Sequence, residues 1–308
     1  MILTVTLNTA LDITYTVDAL VPHASHRVTD VAERPGGKGL NVARVLASLG
    51  HDTVVTGFAG GPTGDVLRGL LAPLPVRDAL LPVAGTTRRT VAVIDAATGD
   101  TTQLNEPGPA ITPAEWSAFL TAYDTLVRDA RAVALCGSLP PGVPVGAYGE
   151  LVRRARAASA LVLLDTSGEP LRRGIAARPD LVKPNADELA QLTGSREPLR
   201  ATRDARRRGA HAVVASLGPD GLLAVTPDGT WWAAPPAPVK GNPTGAGDSA
   251  VAGLLSALVE GLPWPDRLRR AVALSAATVP APAAGEYDTR TYTELLGRVT
   301  VKEHAAAA

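Results

Sequence analysis

A glycine-rich stretch near the end of the chain combines the residue types that phosphoryl transfer needs. Thr244-Gly245-Ala246-Gly247-Asp248 precedes an apolar run typical of a helix. Small side chains leave backbone amides uncovered at a helix N-terminus, where unpaired donors and the helix dipole favour an anion. Asp248 can take a proton from an attacking hydroxyl while the amides stabilise the phosphoryl oxygens. A glycine-rich turn that caps an ordinary helix would show the same pattern.

A second glycine-rich segment, Pro35-Gly36-Gly37-Lys38-Gly39-Leu40-Asn41, leads into another predicted helix and holds one of only four lysines. Glycines let a ligand approach the backbone, and a lysine ammonium is a compact charge for a phosphate. Lys38 can hold a substrate phosphate and Asn41 a substrate hydroxyl, although a solvated turn lysine before a helix cap has the same pattern. No Ser or Thr follows the lysine, so this is not a Walker A loop.

Other polar residues follow short apolar stretches. Asn185 and Glu188, after Leu181-Val182 and Lys183, have the spacing of a helix capping box, and Glu188 can also orient water on Mg²⁺. The turn-rich segments 137–142, which contains Ser138, and 216–221, which begins at Ser216, likewise follow apolar stretches. Each of these signals alone is as well explained by an ordinary turn or cap.

The elements that position these residues alternate between helices and apolar strands. The spacing predicts a helix over 39–49 and strands over 2–7, 52–58, 132–136, 161–164, 181–182 and 212–215. Nearly all-apolar strands are typical of a parallel sheet buried on both faces. The pattern therefore predicts a doubly wound α/β fold with ligands at the carboxyl ends of its strands. Trp231-Trp232 is interpreted as an edge strand.

Shorter polar strands predict a small sheet outside the main one. Stretches near 12–17, 25–33, 88–95 and 100–105 alternate, and the turn between the last two is typical of a hairpin. We expect them to form a lid from about 12–33 and 86–105 within a single domain over 1–300, and we expect 301–308 to be a disordered tail. Asp12 and Arg88 lie on this lid where a sugar phosphate can be held, although each alone is more typical of a surface group.

Charge and cysteine content exclude several classes of protein. Among 308 residues, 30 Lys and Arg balance 30 Asp and Glu, so no overall charge attracts nucleic acid or an anionic membrane. No apolar run approaches the roughly 20 residues of a membrane helix. The lone Cys136 excludes an intramolecular disulfide, and the five scattered histidines do not have zinc-site spacing. We expect a cytoplasmic protein.

The chain resembles the ribokinase/PfkB carbohydrate kinases from residue 2 to about 285. Two separate family patterns are present in full: Gly36-Gly37, Asn41, Ala43, Gly50 and Gly60, and later Asn242-Pro243, Gly245-Ala246-Gly247-Asp248 and Ala252-Gly253. Between them, in the family's order, lie Gly-Ser-Leu-Pro-Pro-Gly, Lys-Pro-Asn-x-x-Glu and Ser-Leu-Gly-x-x-Gly segments.

The resemblance implies a three-layer α/β/α fold, a β lid that pairs two subunits, and transfer of the ATP γ-phosphoryl group to a sugar hydroxyl with Mg²⁺. It makes Asp248 the catalytic base and the amides of Gly245, Ala246 and Gly247 the anion hole. It also implies two sets of binding residues: for the nucleotide, Lys183, Asn185, Ser216, Gly218, Gly221 and Gly247, with Glu188 serving magnesium; for the sugar phosphate, Asp12, Gly37, Lys38, Asn41, Arg88 and Ser138.

The Gly-Gly-Lys-Gly-x-Asn form is similar to that of the phosphosugar branch of the family. A physical argument agrees, because Lys38 and Arg88 offer two positive charges for a phosphate already on the substrate. We expect fructose 1-phosphate as the acceptor and fructose 1,6-bisphosphate as the product. Tagatose 6-phosphate is the nearest alternative, and a nucleoside kinase or a non-catalytic sugar-phosphate sensor are others. Prolines after Ser275-Ala276-Ala277-Thr278, where relatives form part of the adenine pocket, depart from the family pattern.

Overall fold

The computed structural model describes residues 1–304, which form fourteen strands and ten α-helices. The strands are β1 Ile2–Thr6, β2 Ala10–Val17, β3 Asp30–Gly36, β4 Thr53–Ala59, β5 Arg77–Pro82, β6 Arg88–Asp95, β7 Thr101–Asn105, β8 Ala132–Cys136, β9 Leu161–Asp165, β10 Leu181–Val182, β11 Ala212–Ser216, β12 Leu222–Val225, β13 Thr230–Ala234 and β14 Thr300–Glu303. The helices are α1 Lys38–Ser48, α2 Gly61–Leu71, α3 Pro113–Val127, α4 Ala147–Ala157, α5 Gly168–Ala176, α6 Ala186–Thr193, α7 Pro198–Arg207, α8 Ala246–Val259, α9 Trp264–Thr278 and α10 Thr289–Leu296.

Ten strands form the central sheet in the order β14-β13-β12-β11-β10-β9-β8-β1-β4-β5. Neighbouring strands are parallel from β11 to β5, and β12, β13 and β14 add antiparallel pairs. The chain winds outward in one direction from β1 and in the other from β8. The loops after β1 and β8 therefore open the crevice in which doubly wound folds bind ligands.

Helices cover both faces of this sheet, which gives the doubly wound, three-layer α/β/α fold. Val133 and Leu135 of β8 pack in the cluster that includes α3 to α7, whereas Ala132 and Ala134 pack in the cluster that includes α1, α8 and α9. Burying a Val or Leu side chain stabilises a fold by about 1.5–3 kcal/mol. Two apolar faces explain why these strands contain almost no polar residue.

A separate four-stranded sheet forms in the order β3-β2-β6-β7, as the sequence predicted. β2 begins only four residues after β1 ends, so the short segment between them carries the chain from the central sheet to the small sheet. Strand β3 is shorter at its start than expected, because it begins at Asp30 rather than near residue 25.

The C-terminal end differs from the prediction. A disordered tail was expected over 301–308, but Thr300–Glu303 forms β14 and pairs with β13. Trp231-Trp232 therefore lies in a strand with a neighbour on each side, and not at an edge. Residues 305–308 of the expected tail lie outside the described residues. Between 1 and 304, no helix is both long and apolar enough to cross a lipid bilayer.

Periodicity also missed α2 and β5, which follow β4. Gly60-Gly61-Pro62 opens α2 with a proline in its first turn, and three of the eleven residues of this helix are buried. β5 has only one buried residue, because it is the outermost strand of the sheet. Weakly apolar elements at the margin of a sheet leave little periodic signal.

Candidate active site

The N-terminus of α8 presents uncovered amides. Gly245 caps the helix in a left-handed conformation, with φ of 85°, and no side chain bonds to the cap. Within residues 1–304, the amides of Gly245, Gly247 and Asp248 have no hydrogen-bond acceptor, whereas the amide of Ala246 donates to the carbonyl of Pro243 at 3.0 Å. The donor set thus differs from the expected one, since the Ala246 amide is engaged and the Asp248 amide is free.

Only glycine fits at position 245. A β-carbon there would lie 2.6 Å from Cα of Ala284, and the positive φ disfavours any L side chain. The loop that holds Ala284 follows α9 and continues to Glu286, which accepts a hydrogen bond from Arg44 of α1 at 2.6 Å. The start of α8 is therefore packed tightly against a loop that is tied to α1.

Asp248, in the first turn of α8, is buried with 7% of its surface exposed. Its Oδ2 accepts a hydrogen bond from Nδ2 of Asn41 at 2.9 Å. Burial raises the pKa of Asp248 to about 6, and the positive charge of Lys38 opposes that rise. The carboxylate is therefore suited to accept a proton near neutral pH.

Two lysines meet at one buried carboxylate. Nζ of Lys38 lies 3.2 Å from Oδ2 of Asp165, and Nζ of Lys183 lies 3.3 Å from Oδ1. Burial opposes ionisation of Asp165, but Lys183 and Lys38 hold its pKa below the ordinary value. The charge of Asp165 raises the pKa of Lys38. Lys183 also borders the start of α8, since a β-carbon on Gly247 would lie 3.8 Å from its Nζ.

The other predicted sugar-phosphate residues gather where the two sheets meet. Nε of Arg88 donates to the carbonyl of Asn8 at 3.3 Å, and Nδ2 of Asn8 donates to Oγ of Ser138 at 3.0 Å. Asp12 accepts a hydrogen bond from Thr90 of β6. Burial raises the pKa of Asp12, while the hydrogen bond from Thr90 and the charge of Arg88 oppose the rise.

Gly36 and Gly37 bring α1 close to this cluster. A β-carbon on Gly36 would lie 2.0 Å from Cγ of Asp12, and Gly37, the N-cap of α1, has φ of 107°. The positive φ at Gly37, which glycine adopts readily, turns the chain from β3 into α1. It thereby places Lys38 and Asn41 in the same crevice as Asp12.

A cavity of about 650 Å³ extends from the start of α8 toward β11 and β12. Its wall contains most of the predicted nucleotide residues: Asn185, Ser216, Gly218, Gly221 and Gly247. Val239, Val272, Ala276 and Val279 supply apolar surface. Pro280 and Pro282 are not among its lining residues, and Pro282 instead borders a small cavity of about 80 Å³ beside Asp12.

Asn185 and Glu188 form the predicted capping box at the start of α6. The backbone amide of Asn185 donates to Glu188 Oε2, and the amide of Glu188 donates to Asn185 Oδ1, both at 2.8 Å. Oε1 of Glu188 has no hydrogen-bond partner in residues 1–304, so one carboxylate oxygen is available to a ligand. Its neighbours Asn185 and Asp187 line the cavity, and the charge of Glu188 contributes to the raised pKa of Lys38.

Sequence reasoning missed two residues of this site. Asp165 ends the apolar strand β9, so the rule that singled out Ser138 and Ser216 also applies to it. Asn8 lies two residues after the end of β1 and contacts two predicted residues, Ser138 and Arg88. Its buried Oδ1 has no partner in the described chain. Asn8 belongs to no recognised motif, and only its place at the end of β1 could have indicated it.

Comparison with known proteins identifies the family. The sequence pattern described as "pfkB family carbohydrate kinase" matches residues 5–290. The chain belongs to the pfkB family of carbohydrate kinases. This confirms the resemblance, the three-layer fold and a phosphotransferase activity with an alcohol acceptor, for which ATP is the family's co-substrate.

Several relatives of this pfkB kinase are phosphofructokinases. A 1-phosphofructokinase from Rhodobacter capsulatus is 40% identical over 280 residues, which cover 89% of each chain. Another from Xanthomonas campestris pv. campestris is 39% identical over 267 residues, or 84% of each. Phosphofructokinase-2 from Escherichia coli, solved in complex with fructose-6-phosphate, superposes with a TM-score of 0.87 and 30% identity, covering 96% of this chain and 98% of the other. A tetrameric inhibited form of that enzyme has also been solved.

Proposed function

We propose that this pfkB kinase transfers the γ-phosphoryl group of ATP to fructose 1-phosphate and forms fructose 1,6-bisphosphate. The observation that carries the proposal is the placement of Asp248, which is bonded to Asn41 on the acceptor side and borders uncovered amides on the nucleotide side. The 1-phosphofructokinases at about 40% identity support this choice of acceptor.

In the proposed reaction, ATP occupies the 650 Å³ cavity with its phosphates toward Gly247. Asp248 accepts the proton of the attacking sugar hydroxyl, whose oxygen bonds to the γ-phosphorus while the bond to the β-phosphate oxygen breaks and ADP leaves. The amides of Gly245 and Gly247 and the ammonium of Lys183 stabilise charge on the transferred group. Ser216, Gly218 and Gly221 border the nucleotide where their small size leaves room for it.

Magnesium fits this arrangement through the nucleotide. Mg²⁺ keeps several waters and is commonly held by one or two carboxylates and by substrate phosphates. No set of three His, Cys, Asp or Glu side chains in residues 1–304 is arranged as a metal site. Glu188 has a free oxygen beside the crevice, and Asn185 lines the cavity, so these two residues would hold Mg²⁺ through water. The ion would neutralise charge on the phosphates.

We assign the sugar phosphate to the crevice between the two sheets. Lys38 and Arg88 would bind its phosphate, and Asp12, Asn41 and Ser138 would bind its hydroxyls, with Gly37 allowing close approach to the backbone. Two cations suit an acceptor that is already phosphorylated. The small sheet would then serve as a lid that excludes water from ATP.

The acceptor can be tested by measuring ADP release from purified enzyme with fructose 1-phosphate, fructose 6-phosphate, tagatose 6-phosphate, fructose and adenosine. We expect kcat/KM to be highest for fructose 1-phosphate. A higher value for tagatose 6-phosphate or fructose 6-phosphate would move the proposal to that acceptor. Calorimetric binding of a sugar phosphate without any ADP release would indicate a sensor instead.

Replacing Arg88 by Met is expected to raise KM for fructose 1-phosphate about 10–100-fold, because a hydrogen bond to a charged group contributes about 1.5–3 kcal/mol. KM for ATP should change little. Arg89→Met is the matched control, since Arg89 points away and pairs with Glu106 at 2.7 Å. Steady-state kinetics of both variants test this. Equal KM values for the two variants would contradict the assignment of Arg88 to the sugar phosphate.

We also propose that the enzyme acts in the cytoplasm as a dimer, in which two chains pair through their small sheets. Support comes from apolar side chains that this sheet leaves exposed, namely Val31 at 56% and Leu104 at 60%. Light scattering of the purified enzyme should give twice the mass of one 31.6 kDa chain. The mass of a single chain would reject the pairing.

A further inference from the structure

Asp165 joins the two lysines of the candidate site, although neither glycine-rich motif contains it. The carboxylate is 1% exposed and lies at the end of β9. Each of its oxygens faces a different ammonium group, Lys38 at 3.2 Å and Lys183 at 3.3 Å. One buried anion thus connects a cation from the acceptor side with a cation from the nucleotide side.

The two lysines differ in how far their side chains are exposed and in what holds them in place. The side chain of Lys183 is 4% exposed, and its ammonium borders Gly247 at the start of α8. The side chain of Lys38 is 42% exposed, and its charge interacts with Asp248 and Glu188 as well as with Asp165. Lys183 is therefore held by burial, whereas Lys38 depends on its ion pair for a defined position.

The backbone around Asp165 is fixed by hydrogen bonds to the loop that follows β8. The carbonyl of Asp165 accepts a hydrogen bond from the amide of Gly137 at 2.9 Å. The neighbouring Thr166 donates from Oγ1 to the carbonyl of Gly137 at 2.8 Å. Asp165 is thus anchored to the loop that carries Ser138, so its carboxylate is attached to a rigid part of the crevice.

We propose that Asp165 is a positioning residue for phosphoryl transfer, which directs Lys38 toward the sugar phosphate and Lys183 toward the nucleotide phosphates. This inference rests on the proposed function. A charge that is misplaced by about 1 Å can cost about 10²-fold in rate, so a shared anchor for two cations would affect both substrates. A purely structural role would only balance the charge of buried Lys183.

Asp165→Asn keeps the shape of the side chain and removes its charge. We expect kcat/KM to fall about 10²-fold, with KM raised for both fructose 1-phosphate and ATP. Asp180→Asn is the matched control. Oδ2 of Asp180 accepts a hydrogen bond at 2.8 Å from the amide of Val162, which lies at the opposite end of β9 from Asp165. That control should leave both KM values unchanged.

A double variant separates positioning from charge balance. Asp165→Asn/Lys183→Met removes one negative and one positive charge, so it leaves no buried ammonium at position 183 without a partner. The proposal can therefore be tested in the double variant even if Asp165→Asn alone does not fold. If Asp165 positions the lysines, KM for ATP in the double variant should match that of Lys183→Met. Adding Asp165→Asn removes nothing further on the nucleotide side, because Lys183 is already absent. KM for fructose 1-phosphate should stay raised, because Lys38 still lacks its anchor.

Recovery of the wild-type KM for fructose 1-phosphate in the double variant would show charge balance alone and overturn the proposal. So would an Asp165→Asn enzyme within twofold of wild type in kcat/KM. Both results require an active wild-type enzyme. Absence of ADP release from the wild type with every acceptor would instead reject the proposed function, so the two failures are distinguishable.

Discussion

Replacing Asp248 by Asn is expected to lower kcat by about 10²–10⁴-fold, the usual contribution of a general base. The amide has the same shape and can still bond to Asn41, but it cannot accept a proton from the sugar hydroxyl. The fold should survive, because removing a buried carboxylate whose pKa is raised by burial relieves a desolvation cost. Steady-state kinetics and thermal unfolding measure the two effects separately.

Asp65→Asn is a suitable control, because Asp65 is exposed on α2, a helix whose main contacts are with β2, β3 and β4. It should leave kcat unchanged. Near-normal turnover in Asp248→Asn would remove Asp248 from its assigned role as the base.

The pH dependence of kcat provides a second readout of the same group. A base acts only when ionised, so kcat should be level above a pH of about 6 and fall about tenfold per pH unit below it, because the pKa of Asp248 is raised to about 6. The low residual activity of Asp248→Asn should lack this acidic limb. A wild-type profile that stays flat to pH 4.5 would contradict the raised pKa.

Replacing Gly245 by Ala is expected to lower kcat by about 10²–10³-fold, the usual cost of losing an oxyanion donor. The new β-carbon would lie 2.6 Å from Cα of Ala284, at a backbone φ of 85°. Relief of this clash must move either the start of α8 or the loop that carries Ala284. In both cases the amides of Gly245 and Gly247 lose their alignment with the phosphoryl group.

Gly261→Ala is the matched control at the other end of the same helix. Gly261 also has a positive φ, 73°, but its β-carbon would meet no atom within 4 Å. We expect a loss of about 1 kcal/mol in stability from the strained backbone and an unchanged kcat. If both variants keep full activity, the amides at the start of α8 have no role in transfer.

The sequence by itself determined the features that depend on neighbouring residues. Apolar strands such as Ala132–Cys136 predicted a parallel sheet, because their side chains must be buried on both faces. Asn185 and Glu188 form the predicted capping box at the start of α6, and Thr112 and Glu115, with the same spacing, form another at the start of α3. These contacts span three residues, so spacing alone predicts them.

Only the tertiary structure decided which distant groups meet. Asn41 and Asp248 are 207 residues apart and touch because α1 packs against α8. Lys38 and Asp165 are 127 residues apart and meet because β9 and the start of α1 open into one crevice. Periodicity reports which face of an element is buried but carries no information on strand order. Strand order brings these charges together, so the shared anion between the lysines could not be deduced from their separate motifs.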